Sequence, residues 1–128
     1  MSAERPPVYA TQEDYDTLTA LSGKLRPSDG PGAHLLIEEL ARLQVVQADA
    51  SPPFARLGVR VRYQNPRSDR IKTARLVMPK DQTLHESTVT VTSPMGAALL
   101  GLRAGDAFSW REPGGAKRSV TVLEVLGR

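Results

Sequence analysis

Residues 93–106 read SPMGAALLGLRAGD, and this stretch decides how the C-terminal part of the chain folds. Ser93 is a favoured residue type for a helix N-cap, and Pro94 suits the first helical position. Residues 97–100 supply a short apolar helix, which the glycine after them can end. A Gly-Asp pair then turns the chain onward. The stretch therefore predicts one short helix between two strands.

Alternating apolar and polar residues on both sides of this helix predict strands. Val59, Val61 and Tyr63 alternate with arginines and glutamine, as in a strand with one buried face. Phe108 and Trp110 are expected to face the core in the same way. The strands are predicted over residues 59–64, 70–78, 88–92, 107–111 and 118–126, with turns at Asn65–Asp69 and Pro113-Gly114-Gly115. We expect an antiparallel β domain with one short helix.

The first fifty residues have a helical period instead. Thr11 can cap a helix that runs to Leu25, with Asp14 at the capping-box spacing. A second helix is predicted over residues 33–46, with Glu38, Glu39 and Arg42 pointing outward. The Gly/Pro-rich segment 26–32 joins them, so we expect an antiparallel helical hairpin, a coiled-coil stub.

These patterns divide the chain into four predicted parts. They are an N-terminal tail at residues 1–10, the hairpin at 11–47, a proline-stiffened linker at 48–56 and the β domain at 57–128. The overall class is α+β.

The composition excludes several kinds of site. The 128 residues contain no cysteine and only two histidines, His34 and His85, and neither histidine lies in a metal-ligand motif. No phosphate-binding loop or catalytic triad is present. We therefore predict no catalytic residue, no metal and no cofactor. No apolar stretch is long enough to span a bilayer, and we expect a cytoplasmic protein without a membrane partner.

Charge is unevenly distributed along the chain. Residues 1–50 carry four Lys/Arg against eight Asp/Glu, and residues 51–128 carry thirteen against six. The arginines of the β domain permit a nucleic-acid hypothesis, because a basic face can bind phosphates. Arginines on an outer strand face are also ordinary solvated residues. These residues are compatible with both interpretations, so direct binding to DNA or RNA stays open.

The sequence from residue 57 to 126 resembles the C-terminal domain of the bacterial GreA/GreB transcript-cleavage factor family. The resemblance rests on a Val/Thr strand, the Ser-Pro-Met-Gly start of the helix, a Gly-Asp turn, Pro-Gly-Gly and a last strand VTVLEV. It implies an FKBP-like fold and binding to bacterial RNA polymerase at the secondary-channel rim. The family's docking loop matches Ser93, Pro94 and Met95.

The hairpin departs from the long finger of these factors. Its tip offers Ser28 and a single carboxylate, Asp29, instead of an acidic cluster. A helix of about 14 residues is only about 21 Å long. The chain resembles the short-finger branch, named regulator of nucleoside diphosphate kinase, which is implied to bind polymerase without strong stimulation of transcript cleavage. We expect a monomeric, non-enzymatic regulator that competes with longer Gre factors.

Two alternatives come from other functional classes. An FKBP-type prolyl isomerase or chaperone would need an aromatic-lined apolar pocket, and aromatic residues are scarce here. A nucleic-acid-binding module would use the basic strands and would bind in a salt-dependent way.

Overall fold

The computed structural model describes residues 5–112 and 114–127. Residues 1–4 of the predicted tail, Pro113 of the predicted turn and Arg128 at the end of the predicted β domain lie outside them. The elements, in chain order, are β1 (Val8–Ala10), α1 (Gln12–Ser22), α2 (Pro31–Leu40), β2 (Leu43–Val45), β3 (Arg60–Gln64), β4 (Ile71–Val77), β5 (Thr88–Thr90), α3 (Pro94–Leu99), β6 (Ala107–Arg111) and β7 (Lys117–Gly127). Short 3-10 turns lie at Pro27–Asp29 and Pro79–Asp81. The predicted α+β class is confirmed.

Five strands form a mixed sheet in the order β5-β4-β3-β7-β6. The prediction of an antiparallel β domain is wrong at one pair, because β5 runs parallel to β4, with Arg75 opposite Thr88. Residues 78–87 lead the chain back along β4 as far as Arg75, so β5 runs in the same direction as β4. A parallel pair needs a crossover of this kind, whereas a tight hairpin gives an antiparallel pair.

The buried face of the sheet follows the predicted alternation. Val61 and Tyr63 in β3 are buried, as are Phe108 and Trp110 in β6. The arginines of β3, Arg60 and Arg62, are exposed. The two β6 rings are stacked at 5.9 Å between centroids. The expected inward direction of these four side chains is confirmed.

Helix α1 begins as the sequence predicts. The Asp14 backbone N–H donates to Thr11 Oγ1 at 3.1 Å, which makes Thr11 the N-cap. The helix ends at Ser22, three residues before the predicted Leu25. Ser22 and Gly23 are poor helix formers, so the chain leaves the helix there.

Helix α2 ends at Leu40, so the prediction of a helix to residue 46 is wrong. Residues Leu43–Val45 instead form β2, which pairs in parallel with β1 at Val8–Ala10. The Val46 backbone N–H donates to the Ala10 carbonyl at 2.9 Å, which extends this pairing. The two adjacent valines favour extended backbone, and the paired strand satisfies their backbone groups.

Helix α2 packs more extensively on α3 than on α1. Gly32, near the start of α2, lies directly against the backbone of Thr92 and Ser93, where a Cβ would clash with the Thr92 carbonyl. Only glycine permits this approach. Packing against α1 in a coiled-coil stub therefore does not account for the burial of α2. The leucines of α2 also face α3 and the sheet.

One hydrophobic core runs through both halves of the chain. From the N-terminal half it includes Val8, Leu18, Leu35, Leu36 and Leu40. From the C-terminal half it includes, among others, Val61, Leu76, Leu99, Leu102, Phe108 and Val122. The N-terminal elements are thus packed onto the sheet and α3 through buried apolar side chains.

Candidate functional site

The segment Ser93–Met95 lies where the chain passes from β5 into α3. Ser93 Oγ accepts the Gly96 backbone N–H at 3.0 Å and donates to the Thr90 carbonyl at 2.7 Å. Pro94 is the first residue of the helix. Ser93, Pro94 and Met95 are all partly exposed. The predicted helix start is confirmed, and the segment keeps accessible side chains on a hydrogen-bonded backbone.

The predicted hairpin tip is an exposed 3-10 turn that contains Ser28 and Asp29. Asp29 Oδ2 accepts the Arg26 backbone N–H at 2.8 Å, and the Asp29 N–H donates back to the Arg26 carbonyl at 2.9 Å. The carboxylate of Asp29 therefore stabilises its own turn, a common use of aspartate in loops.

The structure brings the tip and the Ser93–Met95 segment to the same side of the molecule. Gly32 contacts the backbone of Thr92 and Ser93, and Asp29 is only three residues from Gly32. Three residues of chain span at most about 11 Å between Cα atoms. The two predicted site segments are thus neighbours, although 64 positions separate Asp29 from Ser93 in the sequence.

A groove of about 500 Å³ adjoins Ser93 and Met95, and we call it the basic groove. It is lined by Tyr63, Arg70, Lys72, Val89, Ser93 and Met95, together with five further residues that are uncharged. None of the lining residues is acidic. Burial raises the pKa of the Tyr63 hydroxyl above its usual value, because desolvation disfavours the phenolate.

A second groove, of about 570 Å³, lies between α2 and β6. Residues of both charge signs line it, among them Arg5, Glu38 and Glu112. Trp110 also lines it, but the buried Trp110 Nε1 has no hydrogen-bond partner in the described part of the chain. Its carboxylates are paired within the chain, Glu38 with Arg5 and Glu112 with Arg118. This groove therefore carries charges of both signs, and its two glutamates already have arginine partners.

Glu39 is buried, so the prediction that it points outward is wrong. Its side chain is 1% exposed, whereas that of Glu38 is 42% exposed. Arg42 donates from Nη2 to Glu39 Oε1 at 2.9 Å and from Nε to Oε2 at 3.1 Å. Arg42 Nη2 also donates to the Pro6 carbonyl at 3.0 Å. The Glu39–Arg42 pair thus holds the segment before β1 against α2.

A second buried carboxylate joins the two halves of the chain. Asp14 Oδ2 accepts the Leu57 backbone N–H at 3.1 Å, and Asp14 is 5% exposed. From the sequence, Asp14 is predicted only as part of the capping box with Thr11. The i,i+3 spacing of Glu39 and Arg42 was a usable signal for an ion pair, but nothing local indicates the Asp14 contact with Leu57.

The outward arginines of the strands are largely paired with carboxylates of the same chain. Arg62 contacts Glu124 at 3.1 Å across β3 and β7. Arg75 contacts Glu86 at 3.0 Å and also donates to the Gly58 carbonyl. Paired arginines are less available for phosphates, which weakens the nucleic-acid hypothesis for this face.

Both histidines, His34 and His85, are exposed. His34 Nε2 lies 3.5 Å from Glu38 on the surface of α2. Across residues 5–112 and 114–127 no group of His, Cys, Asp or Glu is arranged to hold a metal ion. Among the same residues, no helix combines the length and apolar character needed to cross a membrane.

Comparison with known proteins identifies the family. Residues 50–126 match the family described as "Transcription elongation factor, GreA/GreB, C-term", a range that includes Ser93–Met95 and the whole basic groove. The chain belongs to the GreA/GreB family. The resemblance stated from the sequence is confirmed.

The relatives of this GreA/GreB protein cover nearly all of its length. It is 31% identical over 122 residues to the regulator of nucleoside diphosphate kinase of Escherichia coli strain K12, covering 94% of this chain and 90% of that protein. It is 30% identical to the transcription inhibitor protein Gfh1 of Thermus thermophilus, covering 91% of this chain and 76% of Gfh1. These relatives are named as regulators or inhibitors.

A solved structure also resembles this GreA/GreB protein along its whole length. It is described as a prokaryotic transcription elongation factor GreA/GreB from Nitrosomonas europaea. The two chains are 32% identical, the TM-score is 0.71, and the match covers 95% of this chain and 99% of the other. The N-terminal elements therefore belong to the shared structure as well as the matched C-terminal residues.

Proposed function

We propose that this protein binds bacterial RNA polymerase at the rim of the secondary channel and regulates transcription without catalysing a reaction itself. Ser93, Pro94 and Met95 form the docking segment. The proposal rests mainly on the match of residues 50–126 to the GreA/GreB family, because that range contains the docking segment. The partly exposed Met95 beside a capped helix start supports the assignment.

The N-terminal helices limit what docking accomplishes. Helices α1 and α2 contain 11 and 10 residues, so each is about 15 Å long. The contact of Gly32 with Thr92 and Ser93 ties this region to the docking segment. Asp29 is engaged in its turn. We infer that the protein occupies the channel entrance and competes with longer Gre factors, without strong stimulation of transcript cleavage.

The direct test is binding to purified RNA polymerase core enzyme. Met95→Asp places a charge in the docking segment and is expected to weaken binding at least tenfold, and Pro94→Ala is expected to weaken it less. Leu126→Asp is the matched control, since Leu126 is 37% exposed and lies near the end of β7 where Gly127 pairs with Arg60. Equal binding of all four proteins would contradict the docking assignment.

A backtracked elongation complex tests the regulatory part of the proposal. Added alone, the protein is expected to leave the rate of transcript cleavage near its basal value. Added with a long-finger Gre factor, it is expected to lower the cleavage rate as its concentration rises. Strong cleavage stimulation that Asp29→Ala removes would contradict this expectation and assign a catalytic role to the tip.

The alternatives from the sequence have less support. For an FKBP-type isomerase, Phe108 is packed in the core, and the groove that Trp110 lines also carries the charged residues Arg5, Glu38 and Glu112. For a nucleic-acid module, Arg62 and Arg75 are already paired. A proline-peptide isomerisation assay and a titration with single-stranded RNA without polymerase test the two directly.

The compartment and cellular effect follow from the same proposal. Polymerase binding places the protein in the bacterial cytoplasm, where we propose that it acts as a monomer. The name of the Escherichia coli relative further suggests an effect on nucleoside diphosphate kinase. Comparing kinase activity in cells with and without the protein tests that effect, and unchanged activity would exclude it.

A further inference from the structure

The basic groove beside the docking segment contains two cations without internal partners. Arg70 and Lys72 line the groove, and within residues 5–112 and 114–127 neither side chain forms a hydrogen bond or ion pair. By contrast, Arg62 and Arg75 on the neighbouring strand positions each contact a carboxylate. No lining residue of the groove is acidic. The groove therefore presents positive charge that the chain itself does not neutralise.

The groove also presents apolar surface. Val89 and Met95 line it and are partly exposed, and the side chain of Tyr63 lies buried against the core at the same place. A site for a free phosphate would need donors and charge but no such apolar surface. A protein segment can supply an apolar side chain for Met95 together with carboxylates for the two cations.

The same features disfavour a nucleic-acid strand as the occupant. Single-stranded nucleic acids stack their bases on exposed aromatic rings, and the aromatic residue of this groove, Tyr63, is only 6% exposed. Two cations neutralise about two phosphates, which gives weak binding at physiological salt.

We propose that the basic groove binds an acidic protein segment of the polymerase, with Arg70 and Lys72 contacting its carboxylates and Met95 contacting an adjacent apolar side chain. This inference rests on the proposed function and adds the chemistry of the partner. Arg70 and Lys72 then determine specificity, because a partner segment without acidic residues leaves both cations unpaired in the complex.

The test measures the affinity for RNA polymerase core enzyme of the wild type and of two charge-reversed double variants. Arg70→Glu with Lys72→Glu is expected to weaken binding about tenfold or more and to flatten its salt dependence. Arg60→Glu with Arg111→Glu changes the net charge equally on exposed positions outside the groove. This control is expected to stay within about twofold of the wild type.

The outcomes separate this inference from the proposed function. If the wild type binds, Met95→Asp fails to bind and the groove variant binds like the wild type, the inference is overturned and the docking assignment stands. Equal weakening of polymerase binding by both double variants also overturns the inference, because the net charge of the protein would then explain the effect. If the wild type does not bind polymerase, both proposals fail.

A parallel titration with a single-stranded RNA 20-mer tests the other macromolecular occupant. We expect weak RNA binding that the groove variant and the control variant reduce equally. A loss of RNA binding confined to the groove variant, with polymerase affinity unchanged, would overturn the proposal in favour of nucleic acid. Thermal unfolding of each variant verifies that exposed substitutions leave the fold intact.

Discussion

Charged side chains serve different purposes around Glu39 and in the basic groove. Glu39 is buried and both of its carboxylate oxygens accept from Arg42, which also holds the Pro6 carbonyl. Arg70 and Lys72 are exposed and have no carboxylate partner among the described residues. The first arrangement fastens the start of the chain to α2, and the second leaves charge available to a partner.

This difference indicates which substitutions should affect folding and which should affect binding. Removing one member of a buried ion pair leaves the other uncompensated, which is costly. Removing an unpaired surface cation costs almost nothing in the folded state. Substitutions in the buried part of α2, which contains Glu39, should therefore lower stability more than substitutions in the basic groove.

The largest effect is expected from Leu36→Ala. Leu36 is fully buried in the core shared by α2 and the sheet. Truncation removes buried methyl groups and leaves a cavity, so the free energy of unfolding should fall by about 3 kcal/mol. Urea unfolding measures the loss, with the fully exposed Leu84→Ala as control. A loss below about 1 kcal/mol would indicate that α2 is not an integral part of the core.

A smaller effect is expected from Glu39→Ala. Arg42 would keep its contact with the Pro6 carbonyl but lose both carboxylate bonds, and it is itself 27% exposed. The free energy of unfolding should therefore fall by about 2 kcal/mol, less than for a fully buried pair. Glu38→Ala, one residue away and exposed, should change it by less than about 0.5 kcal/mol. Equal effects at both positions would remove the distinction between the buried and the exposed carboxylate.

Tyr63 connects the groove to the core and should make stability depend on pH. Burial raises the pKa of its hydroxyl above the usual 10.0, so the folded state retains the proton more tightly than the unfolded state. The resulting stability is complete below about pH 10 and is lost as the pH rises through the folded-state pKa. Between about pH 9 and pH 11 the wild type should lose more stability than Tyr63→Phe. Parallel stability curves would show that this hydroxyl is not desolvated.

The smallest effect on folding is expected in the groove itself. Arg70→Ala with Lys72→Ala should leave the free energy of unfolding within about 0.5 kcal/mol of the wild type, because no internal partner is lost. Urea unfolding of this variant beside Glu39→Ala tests the comparison in one experiment. A loss as large as that of Glu39→Ala would place the groove cations among the residues that stabilise the fold.

Local patterns in the sequence were sufficient to predict the sheet and its helix. The alternation of Val61 and Tyr63 with arginines, and the Ser-Pro start of α3, are signals contained within a few residues. The direction of β5 was not predictable in this way, since it depends on the path of residues 78–87. The pairing of β1 with β2 was missed for the same reason, because their partners are about 35 residues apart.

The candidate site was only partly visible in the sequence. Ser93–Met95 was predicted from family resemblance and the helix start from residue types. The basic groove was not predicted, because Arg70, Lys72 and Met95 become neighbours only when β4 and β5 pair. Glu39 looked like a solvated residue beside Glu38, but it is buried and paired with Arg42, which also contacts Pro6 in the segment before β1.

The parallel pairing of β1 and β2 bears on how the length of the helices between them, α1 and α2, can change. The chain leaves β1 at Ala10 and returns at Leu43, which pairs with Val8. The excursion through α1 and α2 therefore begins and ends about 8 Å apart, one strand spacing across and two residues along the strand. Whole helical turns can be added symmetrically to both helices without altering the distance that the ends must close. Such lengthening would affect the end of α2 where Gly32 meets Thr92 and Ser93. The same sheet and α3 can thus carry helical segments of different length, with the change confined to the parts of α1 and α2 nearest the turn that joins them.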